Sequence, residues 1–343
     1  MVDGPVLVTG ASGFVGKWVV IELLKAGYAV RGTVRSEAKA AQVRQTIATL
    51  LGDEAAGRLE LAFCDLLSDA GWAEAMRGCS AVMHVAAQIV GDEPKDPDVV
   101  VRPALEGTER VLRFAHAAGI RRVIITSSIA TVGYGHGQTS GRRVYTDQHF
   151  TNLDAMRWTW AYCIGKTRAE QMAWRFAAEN GMEITTIHPG MILGPAVDSD
   201  TSISLMLVSG LMDGTTPALP SNGFAVSDVR DIAELHVRAL QEPAAIGQRI
   251  LATGAYLPFP KVAEILRTAY PDAKVTMRTV PDWLIRLLVR FNGSIRQIIN
   301  DIGNEKHYDG SRGEALLGRP YRTPEEATLS AADSLIKLGI VNV

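Results

Sequence analysis

Near its start the chain reads Pro5-Val-Leu-Val-Thr9 and then Gly10-Ala-Ser-Gly13-Phe-Val-Gly16. The apolar, β-branched run predicts a buried strand, and the pattern from Phe14 to Ala26, halted by Gly27, predicts a helix. Glycines at such a junction permit a tight turn, let backbone approach a pyrophosphate and allow the helix to pack closely on the strand. The helix start then offers free N–H groups and a partial positive charge to phosphate. Gly10, Ser12, Gly13, Phe14, Val15 and Gly16 are therefore the candidate cradle for a dinucleotide, in the spacing Gly-x-x-Gly-x-x-Gly.

The same alternation continues to about residue 190. Ala29 to Val34, Leu59 to Cys64, Ala81 to Val85, Arg122 to Thr126 and Ile184 to His188 read as further strands. Helices are expected from about Glu37 and from near Trp72, Pro103 and Trp158, with Pro103 opening its helix and Gly119 closing it. Strands alternating with helices imply parallel pairing through right-handed crossovers, hence an α/β, Rossmann-type doubly wound sheet. Near-continuous apolar strands such as Val123-Ile-Ile125 suit a sheet covered on both faces.

Beyond Gly194 the pattern loosens into a Gly-, Pro- and Ser-rich stretch and, from Pro258, a mostly helical one. The expected division is a dinucleotide-binding domain of residues 1–193 plus about 226–254, and a smaller, mostly helical substrate lobe of about 194–225 plus 255–343. The amphipathic stretch Trp283-Leu-Ile-Arg-Leu-Leu-Val-Arg290 reads as a helix of that lobe, and Trp158, Trp160 and Trp174 as core or pocket wall.

Charge and cysteines exclude several classes. With 35 Lys and Arg against 37 Asp and Glu, there is no basic excess for nucleic acid. The apolar runs are too short to span a bilayer, and Met1-Val-Asp-Gly-Pro5 carries no leader pattern. Cys64, Cys79 and Cys163 are odd in number and far apart, so they read as reduced thiols in or near the core. No histidine shows ligand spacing. A cytoplasmic protein without metal, nucleic acid or membrane partner is expected.

The second strand ends Arg31-Gly-Thr-Val-Arg35. An NAD site usually places an acid here to take the ribose 2′-hydroxyl; Arg35, with Lys39 on the next helical turn, instead suits a 2′-phosphate. NADP(H) is the expected cofactor, against which Glu37 is the one contrary charge nearby. Asp65-Leu66, at the end of the third strand, is placed either to hold adenine or to cap the strand.

Tyr162 and Lys166 are four residues apart in a helical pattern and so share a face. A neighbouring ammonium favours the phenolate and is expected to lower the Tyr162 pKa from its ordinary value near 10. Tyr162 then exchanges a proton with a carbonyl or alcohol oxygen. Thr126-Ser127-Ser128 ends the fifth strand, where open α/β sheets present ligands. Ser128 is the expected donor to the reacting oxygen, with Ser127 competing for the role.

In combination these motifs resemble the extended short-chain dehydrogenase/reductase family. The residues carrying the likeness are Thr9-Gly-Ala-Ser-Gly-Phe-Val-Gly16, Asp65-Leu66, His84-Val-Ala-Ala87, Ser128 with Tyr162 and Lys166, and His188-Pro-Gly190 through Gly194-Pro195. Val30-Arg-Gly-Thr-Val-Arg35, Pro103-Ala-Leu-Glu-Gly-Thr108 and Ala161-Tyr-Cys-Ile-Gly-Lys166 are most similar to its dihydroflavonol 4-reductase, cinnamoyl-CoA reductase and NADPH-dependent aldehyde reductase branch.

The resemblance implies Ser128, Tyr162 and Lys166 as catalytic triad and Arg35 with Lys39 at the 2′-phosphate. It also implies Val85, Ala86 and Ala87 along the cofactor ribose and Pro189 near the nicotinamide. The activity implied is reduction of a small aldehyde or ketone, with an alcohol or 3β-hydroxysteroid dehydrogenase or an epimerase as alternatives; family members are monomers or homodimers. Two departures stand out. Gly165 replaces the commoner Ser before the lysine, and Arg102-Pro103 stands where many members have the Asn of a proton relay.

Overall fold

The structure, a computed structural model, describes residues 4–342 except Ile89, Gln138, Thr139, Thr159 and Thr201. Its strands begin β1 (Val6–Thr9), β2 (Val30–Val34), β3 (Leu59–Phe63), β4 (Ala81–His84), β5 (Arg122–Thr126) and β6 (Gly141–Tyr145). They continue β7 (Glu183–Pro189), β8 (Met191–Leu193), β9 (Gly223–Asp228), β10 (Arg249–Ala252), β11 (Tyr256–Pro258) and β12 (Asn304–Tyr308).

Seven of them form one parallel sheet in the order β10-β7-β5-β4-β1-β2-β3. The chain therefore runs one way from β1 and the other way from β4. The crevice at their carboxyl ends is the switch point where such sheets take ligands. Side chains alternate across the sheet. Val6, Val8 and Met83 enter a core beneath the helices Phe14–Lys25, Glu37–Leu51 and Val229–Gln241, while Leu7 and Val82 enter another beneath Asp98–Ala117 and Ala161–Asn180. The two faces of the central strands β1, β4 and β5 are thus both buried, as the unbroken apolar runs require, while the edge strand β3 is partly exposed.

Two predicted helix starts move. Pro103 lies inside the helix Asp98–Ala117, because Asp96 and Pro97 already accept from the amides of Asp98, Val100 and Val101 and begin it earlier. The helix expected from Trp158 begins at Ala161, whose N–H donates to the Glu93 carboxylate at 2.8 Å. That cap comes from a distant loop and leaves no local signal.

Beyond Gly190 the chain builds two small sheets. β8 pairs parallel with β9, which pairs antiparallel with β11. Helices Ile203–Met212, Phe259–Ala269 and Pro324–Lys337 close a second core, into which Phe14 projects from the first helix. β6, inside the long loop after β5, pairs in parallel with β12 near the C-terminus, joining Tyr145 to Tyr308 in register. The helix Asp282–Leu288 buries Ile285 and exposes Trp283 and Leu287. Among the described residues no helix is long and apolar enough to cross a membrane, and the three cysteines are buried and unpaired.

The helices Asp98–Ala117 and Ala161–Asn180 pack closely at Gly165. A Cβ there would stand 3.2 Å from Ala104 Cβ and 3.3 Å from Val101 Cα. The residue before Lys166 therefore sets the distance between the two helices. Replacing Gly165 by Leu should destabilise the protein by about 1–3 kcal/mol through overpacking, read as a lower urea midpoint; Gly165→Ala should be much milder.

Candidate active site

At the end of β1 the glycine turn is shaped by contacts that a side chain would break. Gly10 has φ +68°, and a Cβ there would meet Ala86 Cα at 2.9 Å. A Cβ on Gly16 would lie 2.1 Å from the Gly10 carbonyl oxygen. Gly13 is exposed, and a Cβ there would meet only the Gly10 oxygen, at 3.4 Å. It opens the first helix without any side-chain cap, so the first-turn amides are available to an anion. Ser12 and Val15 are half-buried beside it, and the Phe14 ring is buried in the second core, which leaves only its backbone at the turn.

Across the crevice, the Val85 and Ala86 amides both donate to Thr9 Oγ1 at 3.0 Å, which fixes the end of β4 against the turn. Ala87 follows, exposed, and Pro189 is buried at the end of β7.

After β2, Arg35 is exposed and makes no ion pair among the described residues. Glu37 turns away to Arg44 at 3.3 Å. Lys39 does not stand free: its ammonium donates to Asp200 at 2.6 Å and to Gln42 at 3.3 Å. At the end of β3, Asp65 Oδ1 accepts from the Leu67 amide at 2.7 Å, so the capping alternative describes one of its oxygens. Leu66 packs over Gly107, whose Cβ would come within 2.9 Å of it.

The residues expected to carry chemistry converge at the ends of β5 and the start of the helix Ala161–Asn180. Ser127 and Ser128 separate cleanly. Ser127 Oγ donates to the buried Glu170 carboxylate at 2.7 Å and is committed there. Ser128 Oγ accepts from the Ala130 amide at 3.1 Å and lies near enough to the Tyr162 phenol to lower its pKa. One turn on, Lys166 Nζ donates to the Thr126 carbonyl at 2.9 Å. Trp160 lies against Tyr162, ring centroids 5.4 Å apart.

The electrostatics differ from expectation at one point. Burial raises the Tyr162 pKa; what opposes it is Ser128, not Lys166, whose ammonium is turned to Thr126. Burial likewise lowers Lys166 to about 8, against the pull of Glu170 one turn below. The phenol is thus held protonated. Arg102 is exposed and donates to Glu106 at 2.8 Å.

Local pattern did not single out Glu170. Its carboxylate is nearly inaccessible and accepts from Ser127, from Arg249 Nε at 2.7 Å and from Trp174 Nε1 at 3.2 Å, with His188 Nε2 at 3.5 Å. Burial alone would raise its pKa, but His188 and Arg249 hold it well below the usual carboxylate range. His188 Nδ1 in turn lies 3.2 Å from the Ser128 carbonyl oxygen. The network therefore braces the turn that carries Ser128. Arg249, the other half, lies 79 residues away in sequence.

A family model described as "NAD dependent epimerase/dehydratase family" matches residues 6–253. The chain is 35% identical over 282 residues to the dihydroflavonol 4-reductase of Zea mays, covering 80% of this chain and 77% of that one. It is 33% identical over 281 residues to the cinnamoyl-CoA reductase CAD2 of Medicago truncatula, covering 81% and 84%. In fold it is similar to the yeast methylglyoxal/isovaleraldehyde reductase Gre2 complexed with NADPH, with a TM-score of 0.79 at 24% identity over 98% of this chain and 99% of that one. Vestitone reductase from alfalfa superposes with a TM-score of 0.76 at 22% identity over 98% and 100%.

Three buried histidines bind protons weakly. Burial lowers His84 to about 3, and His188 and His236 to about 4, from 6.5. Between pH 6.5 and 4 the unfolded chain takes up protons at these positions while the folded protein does not. Stability must therefore fall as pH falls through that window. The urea midpoint should drop steadily there, and His236→Gln should flatten the slope by about one proton; an unchanged slope would contradict the assignment.

Proposed function

The chain belongs to the NAD-dependent epimerase/dehydratase family, and we propose that within it this protein is an NADPH-dependent reductase of a small aldehyde or ketone. The observation that carries the reading is the convergence of the Tyr162 phenol and Ser128 at the carboxyl end of β5, with Lys166 one helical turn away. A group that must give up a proton during reduction needs to hold it at neutral pH, and burial of Tyr162 does that.

The residues present fit a dinucleotide phosphate. The first-turn amides of the helix Phe14–Lys25 are uncapped by any side chain, Gly13 leaves space in front of them, and Arg35 stands exposed at the end of β2. When bound, the reduced nicotinamide supplies a hydride to the substrate carbonyl carbon. Ser128 donates a hydrogen bond to the carbonyl oxygen as negative charge grows there. Tyr162 delivers its proton to the same oxygen, leaving a phenolate. Lys166, whose ammonium is turned to the Thr126 carbonyl, is the group that would hold the cofactor ribose. Arg35 and Lys39 would hold the 2′-phosphate, Asp65 and Leu66 the adenine, and Val85, Ala86, Ala87 and Pro189 the ribose and nicotinamide end.

That the plant relatives are named reductases supports the direction. We propose a monomer. The outward positions of the two long helices on the Ser127 side carry Arg102, Glu109, Arg113, Arg168, Gln171 and Arg175, a charged surface ill suited to burial against a second copy.

Tyr162→Phe should lower turnover with NADPH and an aldehyde panel by about a thousandfold or more, since the proton donor is removed. NADPH binding, followed by its fluorescence, should persist; retention of most activity would overturn the assignment. Arg35→Ala should raise the KM for NADPH about tenfold or more, through loss of a charge-assisted phosphate contact. The KM for NADH should change little, and an equal effect on both would remove the basis for NADP.

A further inference from the structure

The segment that follows β8 runs as a strap from the second core back to the cofactor side of the sheet. Pro195 accepts from Trp18 Nε1 at 2.9 Å, Ala196 donates to Ser334 Oγ at 2.8 Å, and Val197 packs on the first core. Asp198 then meets Lys17, in the first turn of the helix Phe14–Lys25, at 2.5 Å, with Lys17 almost wholly buried. Its second oxygen accepts from Thr46 Oγ1 at 3.0 Å. Asp200, whose amide donates back to Asp198 at 3.0 Å, reaches Lys39 at 2.6 Å and stands 3.9 Å from Lys17.

The two aspartates therefore bring two negative charges to the carboxyl ends of β1 and β2, where Lys17, Arg35 and Lys39 supply three positive ones. They play different parts. Asp198 is partly buried and bonded to a buried cation and a hydroxyl, so it is a fixed anchor for the strap. Asp200 and Lys39 are each more than a third exposed, at 37% and 38% of the side chain, so their pair is open to exchange.

We propose that Asp200 is a cofactor-specificity residue that competes with the 2′-phosphate of NADP(H) for Lys39. The inference rests on the reading of Arg35 and Lys39 as the 2′-phosphate site. A phosphate dianion arriving at Lys39 must displace the Asp200 carboxylate from that ammonium, whereas a ribose 2′-hydroxyl carries no charge and meets no such cost. Asp200 thus narrows the preference for NADP(H) over NAD(H) that Arg35 and Lys39 create. The anchoring of Asp198 keeps it at that place.

The probes are 2′,5′-ADP and 5′-AMP, which differ by the 2′-phosphate alone, titrated by calorimetry into the full-length protein. Asp200→Asn should tighten 2′,5′-ADP binding about threefold to tenfold, the range of a partly exposed charge pair, and leave 5′-AMP unchanged. The gain should shrink at high salt and should be absent in a Lys39→Met background. Unchanged or weakened 2′,5′-ADP binding in Asp200→Asn, or an equal change in both ligands, overturns the proposal. Wild-type protein that binds 2′,5′-ADP no more tightly than 5′-AMP overturns instead the 2′-phosphate reading on which it rests.

Discussion

The buried carboxylate of Glu170 accepts hydrogen bonds from Ser127 at the end of β5, from Trp174 on its own helix and from Arg249 on the edge strand β10. A charge so deeply buried is costly unless every lone pair is met and a countercharge is close. Here both conditions hold, and the price of meeting them is geometric: the helix Ala161–Asn180, β5 and β10 must keep one mutual arrangement. Tyr162 and Lys166 ride on that helix, and Ser128 follows the bonded Ser127. The positions of all three therefore depend on an ion pair that itself touches none of the reacting atoms.

Arg249 extends the same bracing outward. Its guanidinium also donates to the carbonyls of Asp147 and His149 at 2.6 and 2.7 Å and stacks on Phe150, 3.7 Å from the ring centroid. The long loop between β5 and the helix Ala161–Asn180 is thereby fixed at residues 147–150 to the edge of the main sheet. Just before them β6 pairs with β12, where the rings of Tyr145 and Tyr308 stack at 5.6 Å. A stretch that carries no regular pattern in sequence is held by two contacts from the distant half of the chain.

The two ends of the crevice are organised by opposite electrostatic logic. Around the ends of β4 and β5 the ionisable groups are buried, so that His84 and His236 stay neutral and Lys166 is lowered to about 8. Beyond the ends of β1 and β2 the charges lie in the open, with Lys39 and Asp200 paired and Arg35 exposed. Burial of charge gives fixed geometry and shifted proton affinity; exposed pairs give weak, exchangeable contacts.

What the sequence determined by itself is whatever repeats within one element or across one junction. The glycine turn, the apolar parallel strands and the Tyr162–Lys166 spacing are local regularities set by strand and helix periods, and the doubly wound class follows from the alternation of strands and helices. Even there the ends slipped where a cap came from elsewhere, as with Glu93 on Ala161. Only the tertiary structure decided that Ser127 is bound to Glu170 while Ser128 meets Tyr162, for adjacent residues on a strand end point to opposite sides. Only it brought Asp198 to Lys17 across 181 residues and Asp200 to Lys39 across 161. Such pairs have no period; they exist because a packed core carries distant segments past one another, and Coulomb attraction then acts between whatever charges arrive.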